Sequence, residues 1–515
     1  LGFVQDIYDK SQIHSWGRHP LHRVWNWDPG LVSCAGLGIL ALEGETNLPE
    51  EAMLVTFRRH LRDYLTLGVD FDGCGHEGPS YIVYGIGAGV EFMEVLRQQG
   101  RGDLLIDTNL QLIAPWLVSE LLPNRPEWNN LSDCGHGSVP GCQVYSYVLG
   151  RLAELAKDDP MKDGERLPNP ANMDKGLDYI QHFSERPGDR KLSYGALAGL
   201  MSWAWNHGAT PNHASEFSAH VSLAYTLFHQ DFPAVEDPAA LLPDGMLFRG
   251  RGLAVSRANG YGKNGFHLAV EAGPHAAGHD QADKGTFTFR AYGLDFFIDS
   301  GYGNDGDPLK SGSAYAHNVV LVDGLGQPCR WHNNSSGSIT GYRHGADFDW
   351  IRVDAIDAWN FDFAQWIRRP TGRNIKRAER QFVFVRGDQK NIPPYLVLFD
   401  DIEKNDDENH DFTWQWHYPT YLEVDYSNPK QWIGSVSTRR TKVLTTAAGK
   451  SSAKATFTFT VPADGDYKLF GLTAACGSVS HKSDSFSLAI GADRIDAWDI
   501  APTNTLTWSA VKERG

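Results

Sequence analysis

The period of hydrophobic residues changes once along this chain, and the change divides it. Before about residue 235 apolar residues recur at helical spacing; beyond it they alternate within short β-branched and aromatic runs. The two textures meet at Pro233–Pro243, a proline- and acid-containing connection. A helical block followed by a block of short alternating strands predicts an α+β chain with an antiparallel sheet and more than one domain. At 515 residues the chain exceeds one compact core. The expected helices are Leu31–Leu42, Pro49–Leu67, Tyr81–Gln99, Leu104–Leu122, Gln143–Ala156, Met173–Phe183, Leu192–Asn206 and Ser218–His229. The expected strands include Met246–Ser256, Phe266–Glu271, Asn318–Val322, Trp350–Ile356, Gln381–Val385, Leu396–Asp401 and Phe412–Tyr418. Ala455–Val461, Tyr467–Leu472 and Phe486–Ile490 continue them. The domains are drawn as 1–235, helical; 236–425, antiparallel sheet; and 426–515, further sheet that closes the same sandwich or forms its own.

Within the β half, residues 275–327 concentrate the polar side chains. Thr286–Tyr292 and Leu294–Ile298 read as a hairpin turning at Gly293. His279, Gln281 and Asp283 precede it, Asp299 ends it, and His317 opens the next strand. Strand ends brought to one point could gather imidazole, amide and carboxylate around a divalent cation. Capping and loop hydrogen bonds are the plain alternative.

Two stretches of the helical half also stand apart from packing. Ser15–Pro29 gathers Arg18, His19, His22, Arg23, Asn26 and three tryptophans. Asp72–Gly85 reads D-G-C-G-H-E-G-P-S-Y-I-V-Y-G, a loop entering a helix, with Tyr81 and Tyr84 on one face. Ordinary packing and solvated charge would explain each one separately.

Together these pieces resemble the heparinase II/III-like polysaccharide lyases. H-D-Q-A-D, I-D-S-G and A-H-N-V-V are similar to that family's β-domain signature. E-G-P-S-Y-I-V-Y-G is similar to its helical motif, and N-W precedes a small, Gly-rich apolar helix, in the family's order. Gln281 stands where many members carry a second histidine. The resemblance covers most of residues 15–420. It implies an N-terminal (α/α) toroid followed by an antiparallel β-sandwich, and β-elimination on a uronate polymer. It implies Asn26, Tyr81 and His279 as catalytic residues. Asn26 would neutralise the uronate carboxylate. Tyr81 is the candidate acid, able to serve as base, and His279 the base or second neutraliser. Arg18, His22, Arg23, His76, Glu77 and Tyr84 are the expected substrate contacts. A structural divalent ion, zinc first and manganese or calcium next, is expected on Gln281, Asp299 and His317.

The formal net charge of −16 argues against a nucleic-acid partner, which requires a basic footprint. An acidic polysaccharide then requires its cations gathered in one groove, with Arg18, His22 and Arg23 as one wall. No stretch is apolar enough to span a bilayer. Cys134 and Cys142 bracket a turn-rich loop that could close as a disulfide, which fits a secreted or periplasmic setting. An alginate-type polymer is the first expectation for substrate, because the β-half motif loops carry no prominent basic cluster; a glycosaminoglycan is the second. Two other classes compete. Asp72, His76 and Glu77 could serve an inverting glycoside hydrolase, and a non-catalytic carbohydrate-binding protein would need none of this chemistry.

Overall fold

The structure is a computed structural model. It describes residues 2–12, 25–134, 142–167, 192–207, 226–274, 277, 279–301, 312–327, 336–360, 374–387 and 393–418, and beyond 418 only short strands.

The first half is helical, as its period requires. Its helices are α1 (Gly2–Gln12), α2 (Trp27–Ala41), α3 (Glu50–Asp63), α4 (Gly78–Gly87), α5 (Val90–Gln98), α6 (Ile113–Ser119), α7 (Cys142–Leu155) and α8 (Tyr194–Asn206). α3 starts behind Pro49, with Glu50 and Glu51 in its first turn and His60 and Arg62 in its last, the arrangement the helix dipole favours. A five-residue π turn, Tyr64–Gly68, then carries the chain out of it. The helix expected over 81–99 is two, α4 and α5, parted at Ala88 and Gly89. The helix expected over 104–122 shortens to a 3₁₀ turn, Asn109–Leu112, and α6. Apolar periodicity survives such breaks because both pieces bury the same side. α2 packs on α1, α3, α4 and α5, and α8 packs on α6 and α7. The helices expected over 173–183 and most of 218–229 lie outside the described residues.

The second half is antiparallel sheet. β1 (Gly245–Phe248), β2 (Leu253–Ala258), β3 (Phe266–Glu271), β4 (Thr286–Ala291) and β5 (Leu294–Phe297) pair in chain order. β6 (Val320–Val322) comes next. β7 (Ser338–His344), β8 (Phe348–Asp354), β9 (Ile375–Val385) and β10 (Tyr395–Lys404) make a second sheet, and β11 (Phe412–Trp414) pairs with β6. The turn between β4 and β5 is Tyr292–Gly293, both at positive φ, a tight two-residue connection. Beyond 418, Phe470–Ala475 pairs with Thr503–Ala510, and Ser485–Ile490 with Asp493–Asp499. The strand expected over 455–461 is outside the described residues.

The single strand expected over 246–256 is in fact β1 and β2, joined by Arg249–Gly252. Both strands are almost wholly buried, so no polar alternation marks the turn. β2 shows why. Leu253 and Val255 join the helical core, while Ala254 and Ala258 join the core between the two sheets. Successive strand side chains face opposite ways, so a strand covered on both faces lacks the apolar–polar alternation of a half-exposed one. The first sheet is thus the middle layer, with helices behind it and the second sheet in front. Phe287 meets Phe382 across the front core at 5.4 Å.

Candidate active site

The loop entering α4 brings the helical half to the sheet. Gly78 has φ +74°, a left-handed conformation that glycine adopts without strain. Gly85 sits two turns into the helix. A Cβ there would overlap the Tyr64 hydroxyl and come within 3.1 Å of the Asn26 Cα. Glycine at 85 therefore lets α4 lie directly against the start of α2.

Glu77 is enclosed at that contact, with only 1% of its surface exposed. Asn26 Nδ2 donates to its Oε1 at 3.0 Å, and the Tyr64 hydroxyl donates to its Oε2 at 2.9 Å. Burial pushes the Glu77 carboxyl up to about 8, outweighing these and a hydrogen bond from the Asn26 backbone. Asn26 is equally buried, and its Oδ1 has no partner. His76, next in the chain, is buried with Nε2 on Asp70 Oδ2 at 3.1 Å. His76 and Glu77 are thus as buried as Asn26. Tyr84, by contrast, is 42% exposed, beside Tyr81.

Tyr81 meets the β half. Its ring stacks on His279, with centroids 3.4 Å apart and planes within 6° of parallel. His279 Nδ1 lies 2.7 Å from Asp133 Oδ2. A carboxylate on Nδ1 holds the proton there and leaves Nε2 as the basic nitrogen. Asp133 Oδ1 also accepts from Gln281 Nε2. One carboxylate from the helical half therefore orients two residues of the β-domain signature. Sequence reading missed Asp133. It also missed Ser132, which holds a left-handed φ of 59° at a fully buried position. A strained, buried non-glycine residue is a mark of a constrained site.

The clamp on these loops is Arg251, in the turn between β1 and β2. It donates to the carbonyls of Gly75 and His76, to Ser132 Oγ, and to Glu271 Oε1 at 2.9 Å. Asp280 lies 3.7 Å away.

Asp299 and His317 meet behind the hairpin. His317 Nδ1 is 2.8 Å from Asp299 Oδ2, which also accepts from Thr286 Oγ1 at 3.2 Å. Burial alone would lower the His317 pKa; the Asp299 charge outweighs it and raises it. His317 Nε2 and Gln281 Oε1 are buried without partners. His417, which sequence reading missed, faces the same pair, and burial pushes it down to about 4, a neutral imidazole. Imidazole, amide oxygen and carboxylate form a donor set suited to zinc or manganese, and two orphaned buried atoms are in keeping with one.

Arg18, His22 and Arg23 lie outside the described residues. So does the Cys142 side chain; Cys134 Sγ accepts from Ser80 Oγ at 3.2 Å.

Residues 241–477 match the family model described as Heparinase II/III-like, C-terminal. Among solved structures, the chain is similar to a crystal structure of heparinase III at 15% identity and a TM-score of 0.47. That alignment covers 78% of this chain and 50% of the other. It is also similar to a heparan sulfate lyase HepC from Pedobacter heparinus at 13% identity and a TM-score of 0.31, covering 82% and 62%. The chain thus spans about half the length of the heparinase III structure it matches. No match is found among curated proteins. Residues 241–477 thus carry a domain similar to the C-terminal domain of the heparinase II/III-like proteins.

Proposed function

We propose that this protein is a polysaccharide lyase that cleaves a uronate polymer by β-elimination, leaving a 4,5-unsaturated uronate. The observation that carries this reading is the Tyr81–His279 stack, with Asp133 fastened to His279 Nδ1. The C5 proton of a uronate is too weakly acidic while the neighbouring carboxylate is charged. Amide N–H donors at Asn26 offset that charge and stabilise the enolate-like transition state. His279 Nε2 takes the C5 proton, the C4–C5 double bond forms as the C4–O4 bond breaks, and the Tyr81 phenol protonates the leaving oxygen. The (α/α) toroid and a closed β-sandwich belong to this reading, as do Arg18, His22 and Arg23 as the cationic wall. So does a secreted or periplasmic setting, where such polymers occur. No helix among the described residues is long and apolar enough to cross a membrane.

A glycosaminoglycan-type substrate is preferred to the alginate-type polymer expected from sequence, because the matching family model is named for heparinases.

The test is a panel of glycosaminoglycans and alginate, followed by ultraviolet absorbance and by reducing ends. Tyr81→Phe is expected to lower kcat by about 10²- to 10⁴-fold, the usual contribution of a positioned acid or base. Reducing ends without ultraviolet absorbance would establish hydrolysis, and binding with no turnover in either protein would establish a binding module.

A divalent ion on Gln281, Asp299 and His317 is the second part of the proposal. It would fasten the hairpin to β6 and supply no step of the elimination. Elemental analysis and melting with and without chelator decide it. Metal is expected in the native protein and not in Asp299→Ala; equal, negligible metal in both would reject the site.

A further inference from the structure

Glu77 is buried against the Asn26 amide. As placed, the Asn26 amide points its nitrogen at Glu77 and leaves its oxygen buried without a partner. An ionised Glu77 favours that arrangement, because a carboxylate only accepts. It is the wrong arrangement for neutralising a substrate carboxylate, which needs the N–H₂ group turned the other way. A protonated Glu77 reverses the preference: its O–H donates to Asn26 Oδ1, and the amide nitrogen occupies the partnerless position. Tyr64 still donates to the second Glu77 oxygen.

On the lyase reading above, we propose that Glu77 is a positioning residue whose protonated form turns the Asn26 amide N–H₂ toward the uronate carboxylate. Three features of the surroundings favour the proton. Glu77 is enclosed by α2, the π turn and the α4 entry. The charged group facing it from the β half is Asp280, a second carboxylate that disfavours ionisation, and burial with that neighbour holds Glu77 near 8. Arg251, the clamp on this loop, is engaged by Glu271, Ser132 and two carbonyls, with Asp280 beside it. The histidines of this region pair elsewhere: His76 with Asp70, and His60 with Asp28. An uncharged Glu77 also avoids setting a third negative charge behind the substrate carboxylate. The device operates as pH rises: ionisation of Glu77 recaptures the amide nitrogen, and the rate falls without loss of fold.

Glu77→Gln and Glu77→Leu separate this from a merely structural role. The glutamine amide can donate permanently to Asn26 Oδ1 and accept from Tyr64, imitating the protonated acid; leucine can do neither. Glu77→Gln is expected to keep at least about a tenth of the wild-type kcat and to lose the alkaline limb near pH 8, whereas Glu77→Leu falls by about 100-fold or more in kcat with little change in KM. An alkaline limb unmoved in Glu77→Gln, or equal losses in both variants, would overturn the proposal.

A second measurement needs no activity. In protein labelled with ¹³C at glutamate carboxyls, one resonance absent from Glu77→Gln should titrate near pH 8. Glu120, also buried and pushed to about 8, supplies a second such resonance, so the comparison with the variant makes the assignment. If the Glu77 resonance titrates in the ordinary carboxylate range, the proposal fails even if the protein is a lyase. If it titrates near 8 and Glu77→Gln binds uronate polymer no differently from wild type, with no unsaturated product from either, the lyase reading fails and the positioning role with it.

Discussion

At the scale of single residues, the imidazole of His279 is only as useful as the carboxylate behind it. Asp133 holds Nδ1 and also steadies Gln281, two contacts from one buried side chain. Replacing it with asparagine keeps the shape but lets the amide N–H₂ face Nδ1, favouring the wrong tautomer. Asp133→Asn is expected to lower kcat by about 10²- to 10⁴-fold with a small effect on KM, read from the initial rate of ultraviolet absorbance. Unchanged kcat would mean that Asp133 has no part in orienting the base. Tyr81 and His279 were legible in the sequence because they sit in distinctive strings. Asp133 was not: it lies in N-N-L-S-D-C, the residue types of any polar turn, and its partner is 146 positions away.

At the scale of elements, the turn between β1 and β2 joins the two halves. Arg251 donates to four acceptors, and its removal leaves Glu271 and Asp280 buried with only Lys284 as a cation, 3.6 and 4.0 Å away. Breaking a buried pair by deleting one partner costs about 3–5 kcal/mol, far more than an exposed pair contributes. Arg251→Ala is expected to lower Tm by several degrees in calorimetry, and Arg251→Lys to recover only part of it, since an ammonium cannot reproduce the planar fork. A Tm within a degree of wild type in both variants would show that packing alone holds the junction. This turn was read as mid-strand from sequence. Its neighbouring strands lack an apolar–polar alternation because β2 is the middle of three layers, which no local pattern reveals.

At the scale of the whole molecule, several carboxyls are buried together. Glu77 and Glu120 are pushed up to about 8, and Asp72 and Asp283 to about 7, in each case chiefly by burial. A carboxyl raised in the folded state contributes its stabilisation in full below its unfolded pKa, about 4, and loses it as pH rises to the folded value, because the unfolded chain then binds fewer protons. Stability should therefore decline between about pH 4.5 and 8 and level off beyond, opposite to the trend set by carboxylates held in ion pairs. Calorimetry at pH 5.5 and pH 8.5 checks it; a Tm that rises with pH would show that the groups shifted down, such as His417, outweigh the raised carboxyls.

The division into helices and antiparallel strands, the β4–β5 hairpin, and the strings bearing Tyr81, His279, Asp299 and His317 were determined by the sequence itself. Each depends on local period, on turn chemistry or on a motif a few residues long. Tertiary structure decided what surrounds those strings: Asp133 behind His279, Tyr64 and Asn26 on Glu77, Arg251 across the layers, and His417 beside the Asp299–His317 pair. It also decided that Asn26, His76 and Glu77 are buried together. Burial and long-range partners set those roles, and both arise only when distant segments pack, since a carboxyl in a string of letters carries no sign of the water it will lose.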